Sequence, residues 1–398
     1  MMKIKSFILA TVAFALVAPV FTACSSDDEN ETNDQVKENI VSEYTVNDEM
    51  VAKQKAKSGK DVAVLLVAFG STWYNAFLAF DATKDAYQQA FPEADIYMSF
   101  SSDICINRAS YGENPDDNGN PAKRDFYEPR YLLHAIGAAQ YSKIYVQSLQ
   151  VIPGEEFAAV VASVKKFMNN GYIAEAHLSD DYLKKLEEDR AIFLGLPLLS
   201  NPDPDGAVDA EVYNVANELH KLYKEEASQG VVAFMGHGNP DSYDTFKANE
   251  RYKQLENALQ AINPSIYKYF VGTVDMRENY KKDVLDRMNN KGIFSGKIYL
   301  HALMSIAGDH AHNDMAGGFD AESEEDEAEY WDPSEPESED NSWYMYFKNK
   351  GFTPEVPVSD KNHPKGLLEL EPIRNIWIQH TKSAQFLEDA YHSMYPEE

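Results

Sequence analysis

Three short stretches of this 398-residue chain gather side chains that bind metals and move protons. Asp309, His310, His312 and Asp314 stand just past Gly308. His237 stands between Gly236 and Gly238, and Glu155 and Glu156 follow Gly154. Imidazoles and carboxylates suit first-row divalent cations. Imidazole also titrates near neutrality, so it accepts protons at working pH. Two imidazoles and a carboxylate form a sparse set that leaves coordination positions open. A hydrolytic metal centre would use the same residue types, and a histidine between glycines can equally serve a structural turn.

Each stretch ends an apolar run of strand length. The run K-I-Y-L-H-A-L-M-S-I-A-G (297–308) leads into Asp309 and His310. Residues 230–235 lead into Gly236-His237-Gly238, and K-I-Y-V-Q-S-L-Q-V-I-P-G (143–154) leads into the two glutamates. Segments 143–157 and 297–311 are alike: Lys143 meets Lys297, Tyr145 meets Tyr299, Leu149 meets Leu303 and Gly154 meets Gly308, so that Glu156 falls on His310. Residues 62–69 (V-A-V-L-L-V-A-F) read as a strand buried on both faces. A glycine turn, a helical pattern over 75–90 and a strand over 95–100 follow. The same order recurs over 230–271, with Gly70 matching Gly236 and Ser71 matching His237.

The pattern predicts an α/β fold of two similar domains, 60–225 and 228–375, each a mostly parallel sheet flanked by helices. Strand carboxyl ends face a cleft between them. Its floor would carry Ser71, Glu155, Glu156, His237, Asp309, His310 and His312. Asp309 could cap a helix, turning one of the two histidines toward the cleft.

Residues 1–23 read as a secretory leader: Lys3 and Lys5, an apolar run over 7–20, then Cys24 at the cleavage point. That arrangement resembles a bacterial lipoprotein signal. The protein is therefore expected to be exported and lipid-anchored at the outer membrane through Cys24. Residues 24–58 read as an acidic flexible tether. Cys105 is then left without a partner and reads as a small buried hydrophobe. Residues 318–341 form an acidic insert, read as a mobile loop near the cleft mouth. Residues 373–398 read as a helix packing back on the body through Trp377 and His380. The formal charge of −29 excludes nucleic acid as a partner. Oligomeric state is not readable.

Taken together, V-I-P-G-E-E (151–156), M-G-H-G (235–238) and A-G-D-H-A-H-N-D-M-A-G (307–317) resemble the anaerobic, single-subunit sirohydrochlorin cobaltochelatases, relatives of the class II chelatases. The likeness runs in order from about residue 62 to the final helix. It implies two similar α/β domains around a tetrapyrrole cleft, with Co²⁺ as substrate metal (Fe²⁺, Ni²⁺ or Zn²⁺ as other possibilities) and no organic cofactor. By motif it assigns the two functional histidines to His237 and His310 and the glutamate to Glu156, with Glu155 as the alternative. It leaves His312 a bystander. Departures are Gln150, where the family often has histidine, Gly70-Ser71-Thr72 in place of G-T-S, and the acidic insert.

The expected activity is insertion of Co²⁺ into sirohydrochlorin, with His237 and His310 holding the metal, Glu156 completing the site and His237 as base. A surface lipoprotein that binds haem for uptake, or a reverse chelatase releasing iron from haem, would share these features. Arg108, Arg124, Arg130 and Arg277 are candidates for anchoring substrate carboxylates.

Overall fold

The structure is a computed structural model in which residues 33–172, 176–200, 210–240, 248–274, 279–359 and 363–394 are described. The leader, Cys24 and Arg277 lie outside them. The chain divides into two compact units, Met1–Ile40 and Val41–Glu398. Of the first, the described part is the beginning of helix α1 (Asn33–Ser58). Everything below belongs to the second.

The apolar runs form two sheets. In the first, β1 (Val62–Ala68), β2 (Ala94–Phe100), β3 (Lys143–Ser148) and β4 (Ile192–Gly195) lie in the order β2-β1-β3-β4, all parallel. In the second, β5 (Val231–Gly236), β6 (Lys268–Thr273), β7 (Gly296–Leu303) and β8 (Phe352–Glu355) repeat that order as β6-β5-β7-β8, again all parallel. In this topology the chain leaves the first strand on one side and returns on the other. The crevice that opens there lies outside the carboxyl ends of the first and third strands. The turns after β1, β3, β5 and β7 are those that carry Ser71, Glu156, His237 and His310.

Helices α2 (Tyr74–Ala90), α3 (Asp103–Tyr111), α4 (Pro129–Ala138) and α5 (Glu155–Met168) connect the strands of the first sheet. One hydrophobic cluster joins both sheets: Leu66 of β1 and Phe234 of β5 share it with Leu219 and Trp377. The helices Ala210–Gln229 and Glu371–Lys382, which supply those last two residues, bridge the halves. The expected boundary at 225–228 falls inside the first of these helices, and residues 41–398 form one compact unit rather than two.

Three expectations need correction. Residues 33–58 are helix rather than tether, and Tyr44, Asn47 and Val51 are buried. Spaced three and four apart, these residues form one helical stripe. Gln54 Nε2 and Ser58 Oγ extend it, donating to buried Asp95 at 2.9 and 2.7 Å. The acidic insert is not a loose loop. Lys281 Nζ, itself buried, donates to the carbonyls of Glu339 and Asn341 at 3.1 and 2.6 Å. Lys348 pairs with Glu327, and Lys350 with Glu337, each at 2.5 Å. Lysines elsewhere in the sequence thus pair with two of the insert's acids and hold its backbone. Third, the C-terminal segment does more than pack back as a helix. After Trp377 and His380 are buried as expected, β9 (Gln385–Phe386) joins the first sheet antiparallel to β4. Among the described residues no helix is long and apolar enough to cross a membrane.

Candidate functional site

A cleft of about 1300 Å³, including the part open to solvent, lies at the strand ends. The first half contributes Phe69–Thr72, part of α3, and residues around Gln150–Glu156. The second half contributes His237–Pro240, Tyr252 and residues 303–310.

His237 leaves β5 between two glycines that have no substitute. A Cβ on Gly236 would lie 2.4 Å from the Tyr252 ring, and Gly238 has φ +105°, a conformation L side chains rarely adopt. The turn points the imidazole into the cleft, where Nδ1 lies 3.1 Å from Gly238 O. A carbonyl only accepts, so Nδ1 carries the proton and the lone pair sits on Nε2.

His310 opens a π-helical turn, His310–Met315. Such turns often mark functional positions. Its Nδ1 lies 2.6 Å from Asp314 Oδ2, one turn along. That carboxylate fixes the same tautomer and makes the imidazole a stronger ligand. The two imidazole rings sit 4.8 Å apart at 79°.

Glu156 lies on the first turn of α5, on the opposite wall. Burial pushes its carboxyl above the ordinary glutamate range, and Glu155 adds to the rise; the imidazoles of His237 and His310 act against it. The side chain therefore senses both imidazoles. Among the described residues no three His, Cys, Asp or Glu side chains already converge at metal-ligand spacing. The arrangement is an imidazole pair with the carboxylate of Glu156 near it.

Other candidates are sorted by the same geometry. Glu155 is exposed at the cleft edge, and its backbone N–H donates to Asn239 Oδ1 at 2.8 Å. Asp309 lines the cleft but caps nothing; its Oδ1 instead accepts from Trp73 Nε1 at 2.6 Å. His312 is outside the lining. Its ring stacks on Trp73, its Nδ1 lies 2.9 Å from Gly308 O, and burial lowers its pKa. Ser71 lines the cleft and accepts from Trp73 N at 3.2 Å. Gln150 lines it too. Its Oε1 accepts from Ser148 Oγ, while its buried Nε2 has no partner. Cys105 sits in the wall as a partly buried hydrophobe, with burial raising its thiol.

Of the described arginines, Arg108 alone reaches the cleft. Arg124 pairs with Asp81 at 2.8 Å, and Arg130 pairs with Glu128 at 2.6 Å while lying over Tyr131. Sequence reasoning missed Trp73 and Asn239, which tie the halves together. A Cβ on Gly154 would come within 2.5 Å of Asn239 Oδ1, so the glycine there is the readable trace of that approach.

The family model for cobalt chelatase (CbiK) matches residues 62–329. Two curated relatives align along most of their lengths. The sirohydrochlorin cobaltochelatase CbiKC of Nitratidesulfovibrio vulgaris (strain Hildenborough) is 25% identical over 321 residues, covering 81% of this chain and 89% of that protein. The sirohydrochlorin cobaltochelatase of Salmonella typhimurium (strain LT2) is 24% identical over 325 residues, covering 81% and 96%. A solved structure, SirB from Bacillus subtilis with Fe³⁺, is 12% identical with a TM-score of 0.45, covering 83% of this chain and 98% of that one.

Proposed function

This chain belongs to the cobalt chelatase (CbiK) family, and from that premise we propose that it inserts Co²⁺ into sirohydrochlorin, releasing two protons. The observation that carries the reading is the His237–His310 pair, 4.8 Å apart, within the matched span and inside the cleft.

The chemistry requires a cation to be held, a ring to be placed over it and two pyrrole N–H protons to leave. His237 and His310 hold Co²⁺ through Nε2. As a pyrrole nitrogen takes over a coordination position, His237 Nε2 is released and accepts one proton; the imidazole lone pair that ligates a metal is the same one that accepts a proton. Glu156 stands beside the pair. A carboxylate whose pKa is raised by burial is a better base than an exposed one, so it takes the second proton. Ligand type does not select one divalent metal, since the affinity order of such sites is set by the metals themselves.

The test is an anaerobic assay of purified protein with sirohydrochlorin and Co²⁺, followed by the change in the ring's absorption. Fe²⁺, Ni²⁺ and Zn²⁺ are run in parallel. Absence of insertion with every metal would end the chelatase reading. The leader motivates a second element of the proposal, that Cys24 is lipidated and the enzyme works on the outer-membrane surface. Metabolic labelling with palmitate, lost in Cys24→Ala, checks it.

A further inference from the structure

Among the described residues few large apolar side chains are exposed, and two of them line the cleft. Phe69 is 43% exposed and Ile104 is 52% exposed. Neither belongs to a loose segment. The N–H groups of Ser101 and Ser102 donate to the carbonyls of Ala68 and Phe69 at 2.9 and 3.0 Å, so the end of β1 stays paired up to the start of α3. Ser102 then caps α3 by accepting from Cys105 N. The helix therefore starts at a fixed place beside Phe69.

Ile104 and Arg108 are four residues apart and share one face of α3. Both line the cleft, and Arg108 is the one cation among its described lining residues. Its partner is Glu113, at 3.4 Å, with both side chains well exposed. Such a pair is weak and readily exchanged. The histidines come from the second half and this face comes from the first.

Resting on the chelatase reading, we propose that α3 is the docking face for the macrocycle. Phe69 and Ile104 form an apolar ledge for one face of the ring. Arg108, one turn further along, takes a carboxylate on the ring's rim and so fixes its rotation in the cleft. The metal pair is then left to act on the ring from the other half. Exposed apolar side chains beside a polar site are what a flat ligand would cover.

The experiment uses the full chain and its Phe69→Ala, Ile104→Ala and Arg108→Ala variants. Sirohydrochlorin binding without metal is read by absorption, Co²⁺ binding without the ring by titration, and KM and kcat by the insertion assay. Phe69→Ala and Ile104→Ala should each weaken ring binding and raise KM by roughly tenfold while leaving Co²⁺ binding unchanged. Arg108→Ala should do the same for sirohydrochlorin and have little effect on binding of a porphyrin with an alkyl rim. Wild-type insertion with ring binding unaltered in all three variants overturns the docking face and leaves the chelatase reading standing. Parallel loss of Co²⁺ binding overturns it as well, by showing general damage to the cleft. A wild-type protein that neither binds nor metallates sirohydrochlorin overturns both.

Discussion

The indole of Trp73 lies flat on the imidazole of His312, ring centres 3.6 Å apart and planes 5° from parallel. The same indole donates Nε1–H to Asp309 Oδ1 at 2.6 Å. His310 sits between the two gripped residues. Trp73 follows the turn after β1, so the first sheet holds the histidine-bearing turn of the second. Trp73→Ala should lower the insertion rate about 10- to 100-fold, since a misplaced reacting group costs on that order. It should also cost about 1–3 kcal/mol of stability through lost aromatic packing. Trp73→Phe keeps the stack and loses the hydrogen bond, and should fall between. Thermal melts and turnover check both; a full rate in Trp73→Ala would refute the role.

Asp314 accepts from His310 Nδ1 at 2.6 Å and sets the tautomer that presents Nε2. Asp314→Ala releases the ring and should weaken Co²⁺ binding about 10- to 100-fold, the usual effect of removing a partner behind a metal-binding histidine. Asp314→Asn can still accept and should lose less. Titration of the protein with Co²⁺ reads both.

Glu156 gives a pH signature. Burial, the largest influence, raises its pKa above the ordinary value of 4.5, so folding favours the protonated carboxyl. The stability this contributes is complete below that ordinary value and is lost as pH rises through the raised one. Glu156→Gln stays neutral throughout. Its melting temperature should exceed wild type at about pH 7 and meet it at about pH 4. Saturating Co²⁺ should narrow or reverse the difference at about pH 7, because only the wild type offers the metal a carboxylate. Melts across pH with and without Co²⁺ decide this.

Helix α1 belongs to the body from residue 41 onward. Besides burying Tyr44 and Val51, it supplies Gln54 and Ser58 to Asp95, which Tyr141 also contacts at 2.6 Å. A chain beginning at Lys60 leaves that buried carboxylate short of donors and should lose about 3–5 kcal/mol. A chain beginning at Val41 keeps these contacts. Urea midpoints of the two compare them directly.

What could be read in the sequence follows from how local its signals are. β1, β3, β5 and β7 announce themselves because strands buried on both faces are continuous apolar runs. The turns after β1, β3 and β5 carry glycines at which a side chain would meet a neighbour closer than 3.0 Å, and the internal repeat aligns Glu156 with His310 in the sequence itself. The imidazole pair with Glu156 beside it follows from those turns. The stripe on α1 was too sparse to see, with Tyr44 and Val51 as its apolar members. The insert looked unpackable because Lys281, Lys348 and Lys350, which hold it, lie outside it in the sequence. β9 is two residues long and has meaning only beside β4. Trp73 on His312 and Asn239 on α5 depend on how the halves meet, which no local pattern encodes.

The central claim is that His237 and His310 together hold the cation that enters the ring. It is tested most directly by Co²⁺ titration and Co²⁺ insertion into sirohydrochlorin for wild type, His237→Ala, His310→Ala and the double variant, each checked for folding by circular dichroism. The account predicts that each single variant stays folded, binds Co²⁺ at least about tenfold more weakly and loses at least about 100-fold in insertion rate, with little activity left for the double variant to lose. Wild-type binding and insertion in both single variants would contradict it.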